Sequence, residues 1–256
     1  MNRQTRLSII AATSLTVALA SCSGEPEADG TTSPSVSTTP TAAPSTPAPS
    51  TPAPTPTTPP AAPARTAAQL TKALLGLDDL PAGFSIEPDI GEEGDDVTLS
   101  SKDPKCARLV ALTNADKAPG AKASAYRSFA AGEQGPFVDE GLDAMGSEAA
   151  VQALQRSFQQ AIRTCRGMSI SIPGEGRSPI TVREVSAPKT GATPVAVRFS
   201  AIEGPAAGLE VTMVTTGVQD VVVSVTVMGG ASDDIEGTTR AAVAKATKVL
   251  GTTSGT

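Results

Sequence analysis

Three cysteines and no histidine define the side-chain chemistry open to this 256-residue chain. Without imidazole there is no Ser-His-Asp or Cys-His catalysis, no histidine-containing zinc site and no pH sensing by histidine. If Cys22 is committed elsewhere, Cys106 and Cys165 remain as a pair, and outside the cytoplasm such a pair usually oxidises. The loop it closes is about 60 residues, for which the chain-entropy relation gives roughly 4 kcal/mol. The competing reading is a reactive thiol, which needs an electropositive setting and no partner. Ser186-Ala187-Pro188-Lys189 has the spacing of a serine–lysine nucleophile pair, and Lys189-Thr190-Gly191 that of its companion element. The two overlap on one lysine, and Pro188 spoils the helix that would present Ser186 to Lys189, so a polar turn between strands is the better reading. Asp89, Glu92, Glu93, Asp95 and Asp96 could offer oxygens to calcium, but their spacing fits no calcium loop and a solvated loop is expected. No metal, cofactor or catalytic residue is expected. A mixed apolar and hydroxyl surface is expected where Ser224 and Thr226, with Val222 and Met228, meet Thr212 and Val214 on the neighbouring strand. It reads either as an ordinary half-exposed sheet face or as the floor of a groove for an apolar or glycan-like ligand.

Cys22 has its own context. Arg3 and Arg6 precede an apolar run from Leu7 to Leu19, followed by Leu19-Ala20-Ser21-Cys22. Basic start, apolar run, small residues and cysteine resemble a bacterial lipoprotein signal peptide. The resemblance implies cleavage before Cys22 and acylation of that cysteine. The run is too short and too polar for a stable membrane span. Two or three acyl chains would hold the protein firmly, where one is marginal. A plain secretory signal with an incidental cysteine is the other reading. Residues 1–21 are thus read as signal peptide. Residues 22–65, rich in Ser, Thr, Pro and Ala, are read as a disordered stalk biased to polyproline II. Its hydroxyls are candidate sites for O-linked sugar.

Composition narrows the rest. The formal charge is -6, aromatic residues make up 2%, and Tyr126 is the one tyrosine in a chain without tryptophan. Such a chain lacks the basic stripe and stacking rings of a nucleic-acid binder. Residues 66–251 suffice for one domain with a single core.

Within it, Thr66 is a good N-cap for a helix over 67–75, and Asp103-Pro104 starts a second one carrying Cys106, Leu109, Val110 and Leu112. Ser147 caps the clearest helix, to about Arg166, with Val151, Leu154, Phe158, Ala161, Ile162 and Cys165 on one face. Alternation predicts strands over 97–100, 121–130, 137–144, 168–172, 180–185 and 194–202, and a valine-rich hairpin of 209–216 with 221–228. A last helix runs from about Asp233 to Leu250, with charges that suit its dipole. The expected fold is α+β, an antiparallel sheet of about five to six strands with helices packed on one face.

The Leu-Pro-x-Gly-Phe corner at Leu80 to Phe84, the helical cysteines Cys106 and Cys165, the closing valine hairpin and the C-terminal helix resemble the PknH-like extracellular sensor domain found among actinobacterial surface lipoproteins and sensor modules. The resemblance covers Leu74 to Gly251. It implies an extracytoplasmic binding module with a cleft for an unknown ligand, and it assigns no catalytic residue. The expectation is a lipid-anchored, non-enzymatic binding or sensing module on the outer face of the cytoplasmic membrane. Its partners would be that membrane, reached through acyl chains, and a cell-envelope ligand or protein, with no nucleic acid. The alternative is a carrier of lipids or glycolipids in the cell envelope. A cell-wall enzyme fits least, for want of histidine and of paired carboxylates.

Overall fold

A computed structural model describes residues 64–88 and 97–251. Cys22, the stalk as far as residue 63 and the acidic stretch Asp89–Asp96 lie outside the described residues.

Nine strands form one antiparallel sheet: β1 (Ser85–Ile86), β2 (Thr98–Ser100), β3 (Ala123–Ala130), β4 (Phe137–Ala144), β5 (Gly167–Ile172), β6 (Gly176–Val185), β7 (Ala192–Ala201), β8 (Glu210–Val218) and β9 (Val221–Met228). Their order across the sheet is β1-β3-β4-β9-β8-β7-β6-β5-β2. Four α-helices accompany it: α1 (Ala67–Ala73), α2 (Ala107–Thr113), α3 (Glu148–Thr164) and α4 (Ser232–Gly251). A short 3-10 turn, Pro104–Cys106, leads into α2.

The class is α+β as expected, but the sheet is larger than five to six strands. The hairpin β3–β4 and the meander β5–β9 are separated in sequence by α3, and β4 pairs with β9 along its whole length. Local alternation carries no trace of that long-range pairing. The two outermost strands, β1 and β2, are two and three residues long.

The helices are not gathered on one face. Phe129, Val138, Leu142, Val214, Val223, Val225 and Val227 pack with α1 and α4 in one core. Met168, Ile180, Val182, Val195, Val197 and Phe199 pack with α2 and α3 in a second. Strand parity places the two cores on opposite sides. On β9 the odd-numbered valines face α4, while Val222 joins Val151 of α3. Eight inter-strand spacings make the sheet roughly 38 Å wide, and a packed helix is only about 10 Å across. Two helices per face therefore cover about half of each face, and the pairs sit on opposite halves. A hollow is left beside each pair.

The local sequence explains the helix positions. Thr66 forms a capping box with Gln69 at the start of α1. Ser147 Oγ accepts from the Ala150 N–H at the start of α3. Where α3 crosses β8, Gly217 is obligatory: a Cβ there would stand 2.7 Å from Val151 Cγ1. Val151 is β-branched and fixed in a helix, so it cannot yield. Gly217→Ala is expected to lower stability by about 1–3 kcal/mol in denaturant unfolding, and an unchanged midpoint would show that α3 sits farther from the sheet.

Candidate functional site

One hollow is a cleft of about 350 Å³ on the α3 side of the sheet. Its floor is legible from strand registers. Opposed residues share a face in an antiparallel pair, so three rows cross β3, β4 and β9. Ser128, Asp139 and Thr226 form the first, Tyr126, Gly141 and Ser224 the second, and Ser124, Asp143 and Val222 the third. Met213 and Thr215 of β8 extend the first two rows. Leu154, Gln155 and Phe158 of α3 form one wall, and the α2–β3 connection with Asp116, Lys117 and Pro119 forms another. These elements bury sites of the size typical of small ligands.

The polar groups of the floor are tied to one another. Ser128 Oγ donates to Asp139 Oδ1 at 2.7 Å, and Ser124 Oγ donates to Asp143 Oδ1. Ser224 Oγ donates to the Gly141 carbonyl at 3.2 Å. Thr215 Oγ1 donates to Gln155 Oε1 at 2.7 Å. Asp143 is only 9% exposed and Gln155 only 2%. The carboxylates have no ion-pair partner among the described residues.

Ser224 and Thr226 thus line the cleft, as does Val222. Thr212 and Val214 do not. They lie opposite Val227 and Val225, on the α4 side. β8 and β9 are joined by the two-residue turn Gln219–Asp220, with Val218 opposite Val221. Such a turn opposes even positions on one strand to odd positions on the other. The β8 neighbours of Thr226 and Ser224 are therefore Met213 and Thr215. Asp139, Asp143, Tyr126 and Gln155 also line the cleft and are not among the site residues the sequence singles out. The sequence signal was the Asp139-x-Gly141-x-Asp143 alternation on a strand, which needs the β4–β9 pairing before it means anything.

Thr212 lines a second hollow, of about 510 Å³, on the α4 side, together with Arg198, Ile235, Glu236 and the Ser186–Lys189 loop. Arg198 Nε donates to Thr212 Oγ1 at 3.2 Å, so these two groups satisfy each other. The serine–lysine spacing falls in this β6–β7 loop, as a turn between strands. Cys106 and Cys165 are joined as a disulfide.

The strongly perturbed carboxyl lies away from both hollows. Glu140, on β4 but facing α1, is fully buried, and desolvation pushes its carboxyl up to about 7 against the opposing pull of the Leu75 N–H and Arg127. Among the described residues no group of three His, Cys, Asp or Glu side chains is arranged to hold a metal, and no helix is long and apolar enough to cross a membrane.

Comparison with known proteins places this arrangement. The description PknH-like extracellular domain fits residues 65–250. The crystal structure of the extracellular domain of PknH from Mycobacterium tuberculosis is similar in fold, with a TM-score of 0.55 and 16% sequence identity, covering 74% of this chain and 98% of that one. No curated protein matches the chain.

Proposed function

Because the chain belongs to the family of PknH-like extracellular domains, we propose that it is a non-enzymatic extracytoplasmic binding or sensing module whose ligand enters the cleft between α3 and strands β3, β4 and β9. The observation that carries this reading is the cleft's polar floor, fixed by four mutually bonded strands and walled by a helix stapled through a disulfide. Its groups are held in place before any ligand arrives, which lowers the ordering cost of binding. Its serines donate to carboxylates or a carbonyl within the sheet. The carrier alternative finds no support here, since a floor with two carboxylates is a poor surface for acyl chains.

The lipid anchor belongs to the same proposal. Arg3, Arg6, the apolar run and Leu19-Ala20-Ser21-Cys22 support acylation at Cys22. Cys22→Ser is expected to move the protein from the membrane pellet to the soluble fraction and to abolish palmitate labelling. Retention in the pellet would remove the anchor from the account. The binding role is tested separately, by hydrogen exchange of the purified chain with and without a cell-envelope extract. Protection is expected in 123–128, 139–143, 154–158 and 222–226; protection elsewhere, or none, would refute the cleft as the binding site.

A further inference from the structure

We propose that the cleft selects an organic cation, an aliphatic chain bearing two ammonium groups; this rests on the cleft being the binding site. The argument is one of uncompensated charge. Asp139, Asp143 and Asp116 line the cleft against a single cationic side chain, the exposed Lys117 of the α2–β3 connection. Asp143 is nine-tenths buried. Its bonded partner is the Ser124 hydroxyl, and that of Asp139 is the Ser128 hydroxyl. A hydroxyl orients a dipole toward a carboxylate but brings no net charge. A buried carboxylate is paired with a cation, coordinates a metal or holds on to its proton. No metal-holding group of three exists among the described residues, and a cationic group on the ligand would supply the missing charge.

The spacing argues for two ammonium groups. Asp139 and Asp143 are four residues apart on one face of β4, hence roughly 13 Å apart along the strand. Gly141 lies between them and puts no side chain into the floor, where a Cβ would already stand 2.6 Å from Ser224 Oγ. The floor thus reads carboxylate, flat gap, carboxylate. Leu154 and Phe158 of the α3 wall, with Met213 at the end of the first row, offer aliphatic and ring surface to a methylene chain. A second feature points to a ligand independently. Gln155, buried in the α3 wall, spends Oε1 on Thr215, and its Nε2 has no partner. Turning the amide over only moves the deficit to the oxygen. A buried amide with one unmet end is costly to the empty domain, and in the turned-over form its free oxygen would accept from an ammonium group, which can only donate.

The chain carries its own reporter. Tyr126 is the one tyrosine, there is no tryptophan, and its ring lies in the middle row of the floor. Tyrosine emission of the purified chain is to be followed during titration with diaminoheptane, heptanediol and heptanedioate, three chains of equal length with cationic, neutral and anionic ends. Saturable change is expected with the diamine alone, weakening as salt is raised. Asp143→Asn, which keeps the shape and the Ser124 contact, is expected to weaken diamine binding roughly tenfold to a hundredfold, the range for one charged hydrogen bond. Equal binding of the diol would overturn the charge argument while leaving the cleft as a binding site. Preference for the dioate would overturn it in sign. No response to any of the three would overturn the inference, and the exchange experiment above decides separately whether the cleft binds anything. A diamine response unchanged in Asp143→Asn would place the cation elsewhere and refute the assignment.

Discussion

Replacing Cys106 and Cys165 together by alanine is expected to lower the unfolding free energy by about 4 kcal/mol, the value the chain-entropy relation gives for a closed loop of this size. The two sulfurs join residues 59 apart in sequence. The loop between them contains α2, β3, β4 and α3, so it includes most of the cleft's floor and both of its walls. The local structure has little else to hold it. α2 has seven residues, and its N-cap, Cys106, makes no side-chain capping bond. A helix of two turns does not persist in water by its own propensity. It is held by Leu109 and the buried cystine against Phe158, Ala161 and Ile162 of α3. The loss should therefore be uneven. Amide exchange should rise most in 104–119, which includes the Asp116–Lys117 wall, and least in α4, which packs in the other core. Guanidinium unfolding of the variant should match that of the wild type under reductant. A loss below about 1 kcal/mol, or equal loosening of α2 and α4, would show that the covalent link is not what restrains this loop.

Local grammar was legible, and long-range pairing was not. Ser147 and Thr66 cap their helices, and Asp103 the 3-10 turn before α2, because a capping bond needs only residues two or three apart. The valine hairpin was visible because Val223, Val225 and Val227 alternate with Ser224 and Thr226. Which of its faces lines the cleft depended on parity across a two-residue turn, and Thr212 and Val214 were assigned to the wrong side. The helices were expected together because each has one apolar stripe, and a stripe does not state which side of a sheet it meets. The alternation of Asp139, Gly141 and Asp143 was in plain view within a strand. Nothing local says that β9 and α3 close over it. The disulfide was the exception among long-range features. With Cys22 set aside by its own motif, two cysteines remained, and both sat near the ends of helices.

Glu140→Gln is expected to remove a loss of stability of about 3 kcal/mol that the wild type suffers between about pH 4.5 and pH 7. The side chain is fully buried between β4 and the end of α1, where Oε2 accepts from the Leu75 N–H at 2.7 Å and Oε1 has no partner. Burial is the dominant effect and raises the carboxyl from its usual 4.5 to about 7, while Leu75 and Arg127 pull the other way. Their help is limited by prior commitments. Arg127 Nη1 donates to the Leu75 carbonyl, and Lys245, the other nearby cation, pairs with Asp79 at 2.5 Å. Asp79 itself repels a charge on Glu140. The sign follows from proton counting. Below pH 4.5 the acid is protonated in folded and unfolded chains alike and contributes no pH dependence. Above it the unfolded chain releases its proton first, the folded state binds more protons, and stability falls as pH rises until the folded group also ionises near 7. Each unit of difference is worth about 1.4 kcal/mol, which gives the stated total. Gln keeps an oxygen for Leu75 and never ionises, so its advantage should be near zero at about pH 4 and full at about pH 8. For a domain of this size that is roughly 6–12 °C in melting temperature. Parallel pH profiles for the two proteins would mean that Glu140 reaches water in the native state, and the junction of α1 with the sheet would then have to be looser than the buried Leu70, Leu74 and Leu75 imply.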